Sequence, residues 1–133
     1  MPSILFVCIH NACRSQIAEA ICRKLAPRSW RIASAGSNPS DRVDPKAVEI
    51  LKKKQLTMNS IKPQGFPSLP AIPWDSVVSM DCGIKRSPVP TKKFIEWDIP
   101  DPQDGPIGLY EALFDDLTNR IQKLIRDIGG SPS

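Results

Sequence analysis

Long apolar runs are missing from this 133-residue chain. Nothing in it approaches the roughly 18 consecutive apolar residues of a transmembrane helix. Its start, "MPSILFVCI", lacks the basic opening and small-residue cleavage site of a secretory signal. The expectation is a cytoplasmic protein with no membrane partner. Histidine is nearly absent: His10 stands alone beside four cysteines, Cys8, Cys13, Cys22 and Cys82. Their spacing forms no paired knuckle, which argues against a structural zinc site. Without an export signal, the cysteines are expected to be reduced thiols rather than two bridges. A clustered basic surface is also missing. The net charge is +4, but only Lys52–Lys54 are contiguous, so the balance favours small anions over nucleic acid. No repeat and no linker-like stretch breaks the chain, and its length suffices to bury a core. One domain over 1–133, acting as a monomer, is the expectation.

Alternating strands and helices are what the sequence does contain. "SILFV" at 3–7 is a short apolar run with polar boundaries, as in a strand covered on both faces. Ser15 is placed to cap a helix in which Ile17, Ile21 and Leu25 recur every fourth residue until Pro27. "WRIASAG" at 30–36 reads as a second strand. Asp44 is a good cap for the next helix, with Pro45 at its first position and Ala47, Val48 and Leu51 inward, up to Leu56. The four prolines of "KPQGFPSLPAIPW" (62–74) forbid a long helix and a central strand, leaving an irregular or briefly helical surface segment. "DSVVSM" (75–80) and "KFIEW" (93–97) complete the strands. A final helix from about Leu109 to Ile128 turns Leu113, Leu117, Ile121, Leu124 and Ile128 inward and stops at the glycine pair 129–130. This order predicts an α/β fold of the three-layer, Rossmann-like kind, a four-stranded parallel sheet flanked by helices on both faces. Ligands of such sheets bind beyond the carboxyl ends of the strands. Cys8, Ser34, Cys82 and the acidic loop after Trp97 should share that rim.

The stretch "CIHNACRSQ" carries the chemistry. Between a strand end and a helix N-terminus, the backbone N–H groups of residues 9–13 can curl around a tetrahedral oxyanion, with the helix dipole adding positive charge. Arg14 offers a planar fork for two of the anion's oxygens. The same field favours a thiolate at Cys8, facing the central atom of the anion, and Ser15 can donate to it. Substrate contacts are therefore expected from His10, Asn11, Ala12, Cys13, Arg14 and Ser15. Asn11 is read as an amide that ties the loop into shape and His10 as a solvent-facing loop residue. Cys13 and Cys22 are read as buried small apolar residues.

"CIHNACRSQIAEA" resembles the active-site loop and helix shared by low-molecular-weight protein tyrosine phosphatases and the thioredoxin-coupled arsenate reductases. "SAG" at 34–36, "VDPKAVEILKK" and "WDIPDP" extend the likeness over nearly the whole chain. The resemblance implies a low-molecular-weight phosphatase-like fold and puts Asp101 in the general-acid place, where a carboxylic acid can protonate a departing oxygen. Asp98 is the alternative as a loop-structuring residue and Asp104 as a solvated one. It also implies a monovalent-cation site from Asn11, Glu19 and Ser34, although Gln64 stands where a carboxylate is expected. No bound cofactor is implied.

The two branches of this resemblance diverge after the first step. A phosphatase hydrolyses a phosphocysteine and uses tyrosines after the "DP" pair to clamp an aryl group. Here Gln103, Asp104 and Gly105 follow. A reductase needs a second thiol, and "DCGIKRSPVP" resembles the reductase redox loop, with Cys82 as its first cysteine and Ser87 in place of its second. The reading is an arsenate reductase: Cys8 attacks arsenate, Arg14 holds it, Asp101 protonates the leaving oxygen, and Cys82 or an external thiol resolves the adduct. With the relay cysteine replaced, glutathione with glutaredoxin, or a similar small thiol, is expected over thioredoxin as the transient reductant. The alternative is an aryl or tyrosine phosphatase. A third reading, an oxyanion-binding module without turnover, is permitted by Ser87 and opposed by Cys8, Arg14 and Asp101 together.

Overall fold

Residues Ser3–Cys8 are buried without exception and form β1, the strand on which the sheet is built. The computed structural model describes residues 2–56, 62–70, 72–80, 87–102 and 105–129. Within them the elements run β1, α1 (Arg14–Leu25), β2 (Arg31–Gly36), α2 (Pro45–Lys53), β3 (Trp74–Met80), β4 (Thr91–Trp97) and α3 (Ile107–Gly129), with a 3-10 turn at Phe66–Ser68 before β3. The strands pair in the order β2-β1-β3-β4, all parallel. The expected four-stranded parallel α/β sheet is the one observed. Cys8 ends β1 opposite Gly36, so the carboxyl ends of β1 and β2 meet at one rim.

Alternation along β1 divides the core. Ile4, Phe6 and Cys8 face a cluster with residues of all three α-helices, among them Ile17, Ile50, Leu117 and Ile121. Leu5 and Val7 face the other side with Ala35, Trp74 and Val77, and there Phe66, Leu69 and Ile72 of the proline-rich segment pack against them. Both faces are covered, one by long helices and the other by a 3-10 turn and its flanks. The prolines that forbid regular structure still leave Phe66, Leu69 and Ile72 free to bury apolar area. β2 and β4 are the edge strands, and the exposed Lys92, Lys93 and Glu96 of β4 discourage pairing with another chain.

Two boundaries differ from the sequence reading. Leu25, expected inward on α1, is 41% exposed, while Cys22 is fully buried in its stead. Pro27 ends the helix at once, and the last turn projects past the sheet with Arg23 and Lys24 at its carboxyl end, where cations suit the dipole. On α2 the helix stops at Lys53, short of Leu56, although Asp44 caps its start as expected, accepting from the Lys46 N–H at 2.9 Å. On α3, Leu113, Leu117, Ile121 and Leu124 are buried as expected and Tyr110 joins them. No helix among the described residues is long and apolar enough to cross a membrane.

At the amino ends of the strands, Asp75 clasps β1 to β3. Its carboxylate accepts from the Ser3 N–H at 2.8 Å and lies 3.4 Å from the Lys92 ammonium. The Ser3 amide, then Lys92, hold its carboxyl below the usual aspartate value. A depressed value means that the stability this clasp adds is present above the unfolded aspartate range and is lost as pH falls through the folded value. Asp75→Asn is expected to cost about 1 kcal/mol at neutral pH, a figure discounted for solvent screening. Urea denaturation should show the wild-type advantage fading in acid; a pH-independent difference would contradict this assignment.

Candidate active site

Five residues, 9–13, connect β1 to α1, and the carbonyls of Ile9, His10, Ala12 and Cys13 are already committed. The N–H groups of Ser37, Asn38, Ser40 and Asp44 donate to the carbonyls of Cys8 (3.2 Å), Ile9 (2.8 Å), His10 (3.0 Å) and Ala12 (2.8 Å). With its oxygens turned outward, the loop turns its amides inward. The N–H groups of residues 10–14 have no backbone acceptor among the described residues. The first turn of α1 continues this concavity, because its cap position is Cys13 and no side chain caps it. Amides and dipole together form an anion-binding concavity. Ser15 is thus not the helix cap that the sequence suggested. It lies inside the first turn, and its hydroxyl is 2.9 Å from Cys8 Sγ.

Asn11 holds this loop. It has a φ of 52°, the left-handed region that asparagine tolerates better than most residues, and it is fully buried. Its Oδ1 accepts from the Gln64 backbone N–H at 2.9 Å and from Gln16 Nε2 at 3.1 Å. Because a backbone N–H can only donate, the orientation of the carboxamide is fixed. Nδ2 then donates to Ser15 Oγ at 2.7 Å and to Ser34 Oγ at 3.0 Å. Ser15, accepting from Asn11, keeps its own hydrogen for Cys8. Gly36 makes the close approach possible: a Cβ there would lie 2.6 Å from the Ile9 carbonyl oxygen and 2.8 Å from the Asn11 nitrogen.

Arg14 is 4% exposed and faces the same cavity. One guanidinium nitrogen donates to the Ile99 carbonyl at 2.9 Å, and the other lies 3.9 Å from Asp101 Oδ2. The arginine therefore holds the acid-bearing loop as well as facing the anion position. From the other side, Lys46 Nζ donates to the Gly105 carbonyl, and the Gly105 N–H to that of Pro102 at 2.7 Å. Cys8, Ala12, Cys13, Arg14, Asp44 and Asp101 line a cavity of about 220 Å³ that also has Ser40 and Arg42 at its wall. Asp44 does three things here: it caps α2, its N–H holds Ala12, and its carboxylate accepts from the Tyr110 hydroxyl. Burial, then Asp44, keeps that hydroxyl protonated above the ordinary tyrosine value.

Burial raises the Cys13 thiol far above its ordinary value, with Asp44 and Asp101 adding to the effect. Burial pushes Cys22 up to about 12. Both are packed, protonated groups, as the sequence suggested. His10 is half-buried at the loop edge, with Nδ1 3.1 Å from the Asn38 carbonyl. Ser87 bonds within its own turn, its hydroxyl 2.5 Å from the Val89 carbonyl. Glu19 and Ser34 do join Asn11 in one buried cluster, and Arg23, itself exposed at 38%, pairs with Glu19 from its outer side. Sequence reasoning missed Arg23, although its position four residues after Glu19 was a signal for an ion pair. It also missed Gln16, Ser40 and Arg42. Cys82, Gln103 and Asp104 lie outside the described residues.

The low molecular weight phosphotyrosine protein phosphatase family matches residues 3–131. The chain belongs to this family. A glutaredoxin arsenate reductase from Synechocystis sp. is 27% identical to it over 131 residues, covering 96% of this chain and 99% of the relative. A protein-arginine-phosphatase from Bacillus subtilis is 27% identical over 143 residues, covering 94% of this chain and 95% of the relative. The solved structure of an arsenate reductase in its phosphate-binding state superposes with a TM-score of 0.84 at 26% identity, covering 96% of this chain and 99% of that one. Both activities thus occur among relatives matched nearly end to end.

In this member of the phosphatase family the loop depends on Gly36. Gly36→Ala forces the loop outward and is expected to destabilise the protein by about 2 kcal/mol, as overpacking against backbone does. Urea denaturation measures the loss, and iodoacetamide alkylation of Cys8 should slow in parallel. Unchanged alkylation would mean that the loop tolerates the displacement.

Proposed function

We propose that the chain is an arsenate reductase in which Cys8 is the nucleophile. The observation that carries this reading is the Cys8 sulfur, which receives the Ser15 hydroxyl at the base of a cavity built from inward-facing amides and Arg14. Arsenate fits that cavity by charge and shape, as phosphate would. The Cys8 thiolate forms a bond to As(V), and one oxygen of arsenate leaves as water after taking a proton from Asp101. Arg14 and the loop amides of residues 9–13 carry the charge that builds on the remaining oxygens. Asn11, His10, Ala12, Cys13 and Ser15 shape the cradle.

A second thiol then attacks the Cys8 sulfur. The new S–S bond takes the place of the S–As bond, whose electron pair stays on arsenic, and arsenite leaves as As(III). Cys82, which follows the end of β3 by two residues in the sequence, is assigned this role, with an external thiol as the substitute. Ser87 holds a turn where a relay cysteine would have to be exposed. Glutathione with glutaredoxin therefore suits the resulting disulfide better than thioredoxin, and the name of the Synechocystis relative favours the same coupling.

The second reading, hydrolysis of a phosphocysteine, draws on the same cradle and on the Bacillus relative. Gln103, Asp104 and Gly105 stand directly after Pro102, where the clamping tyrosines would be, and this counts against an aryl substrate. Arsenate reduction with glutathione–glutaredoxin or with thioredoxin, run beside aryl phosphate hydrolysis, separates the readings. Cys8→Ser should abolish reduction, and Asp101→Asn should lower kcat by about a hundredfold, the usual scale for a general acid. Mass spectrometry after turnover should find Cys8 joined to Cys82. Hydrolysis without arsenite production would overturn the reductase reading, and a disulfide to another cysteine would overturn the role of Cys82.

A further inference from the structure

Glu19, in the second turn of α1, is only 5% exposed, and a buried carboxylate must find compensation. Arg23 supplies it. Its Nε donates to Glu19 Oε2 at 2.8 Å, and its terminal nitrogen donates to the Ile32 carbonyl on β2. The guanidinium is pinned at two points, between a helix and the neighbouring strand. The other oxygen of Glu19 accepts the Ser34 hydroxyl at 2.6 Å. Ser34, having given its hydrogen to Glu19, accepts from Asn11, whose amide also donates to Ser15. The donor order from Arg23 to Cys8 is consequent on the charge of Glu19 at one end and the Gln64 amide in the middle.

The family resemblance places a monovalent cation among Asn11, Glu19 and Ser34, and the surrounding donors do not fit one. Both Glu19 oxygens are taken, one by a guanidinium. Asn11 Oδ1 accepts two N–H groups. Gln64 Nε2 donates to the Ser34 carbonyl at 2.8 Å, so the residue that would need to be a carboxylate presents a hydrogen instead. A cation there would meet N–H groups where it requires lone pairs.

We infer that Arg23 is a built-in cation that replaces an exchangeable one, a positioning residue that acts on Cys8 through Glu19, Ser34 and Asn11. Removing it leaves the buried carboxylate without its balancing cation and frees the Glu19 side chain that orients Ser34, and the unbalanced negative field opposes a second negative charge at Cys8.

Alkylation of Cys8 by iodoacetamide tests this without any turnover, so the result stands apart from whether arsenate is the substrate. Wild-type protein should react at the same rate in potassium, sodium and choline chloride of equal ionic strength. In folded Arg23→Met the pH of half-maximal alkylation should move up, slowing the reaction by roughly tenfold in mild acid, the scale of one charge-assisted hydrogen bond. Arg23→Lys, which keeps the charge but not the two-point hold, should recover part of the rate. Severalfold acceleration of the wild type by potassium would overturn the inference, as would a wild-type pH profile in folded Arg23→Met. Should Arg23→Met fail to fold, the wild-type salt comparison and the Arg23→Lys profile decide.

Discussion

The carboxamide of Asn11 is the constraint on which the site rests. Its oxygen is claimed by a backbone N–H that cannot reverse, and its nitrogen therefore serves two serine hydroxyls, one of which reaches Cys8. The left-handed φ at this position turns the loop, and Gly36 leaves the space for the turn. A side chain that lacked either the donor or the acceptor would leave a buried partner unpaired, which costs more than the bond itself contributes. Held in this way, the loop spends its carbonyls on the 37–44 segment and keeps its amides for an anion.

The sheet supports that arrangement from below. β1 is a fully buried inner strand, flanked by β2 and β3, and its end sets the height of Cys8 relative to Gly36 on β2. Arg14 then couples the first loop to the last: the guanidinium that faces the cavity also holds the Ile99 carbonyl beside Asp101. Cys8 at one strand end and Asp101 in the loop after another thus lie in one cavity, with Arg14 between them as a charge that a bound oxyanion would share.

Much of this was legible in the residues. Apolar runs bounded by polar residues located all four strands, and Asp44-Pro45 marked the start of α2 because cap chemistry is local. Ser15 misled for an instructive reason. Serine at a helix start is ordinarily a cap, but here the hydroxyl is claimed by Cys8 and Asn11, and the uncapped amides are what an anion needs. Leu25 misled because periodicity does not show where a helix outruns its sheet. The proline-rich segment was recognised as irregular, yet its burial against Leu5 and Val7 depends on the shape of the opposite face, which no local pattern records. The pairing of Arg23 with Glu19 was legible from their spacing, but its hold on β2 was not, because that partner is a backbone carbonyl.

The central expectation is that Cys8 is a reactive thiol inside an oxyanion cradle while the buried Cys13 and Cys22 stay inert. Peptide-resolved alkylation under mildly acidic conditions, with and without inorganic phosphate, tests it directly. Of these three cysteines, Cys8 should react alone, and phosphate should protect it. Reaction of Cys22 at a rate equal to that of Cys8, or no protection by phosphate at saturating concentration, would contradict the account.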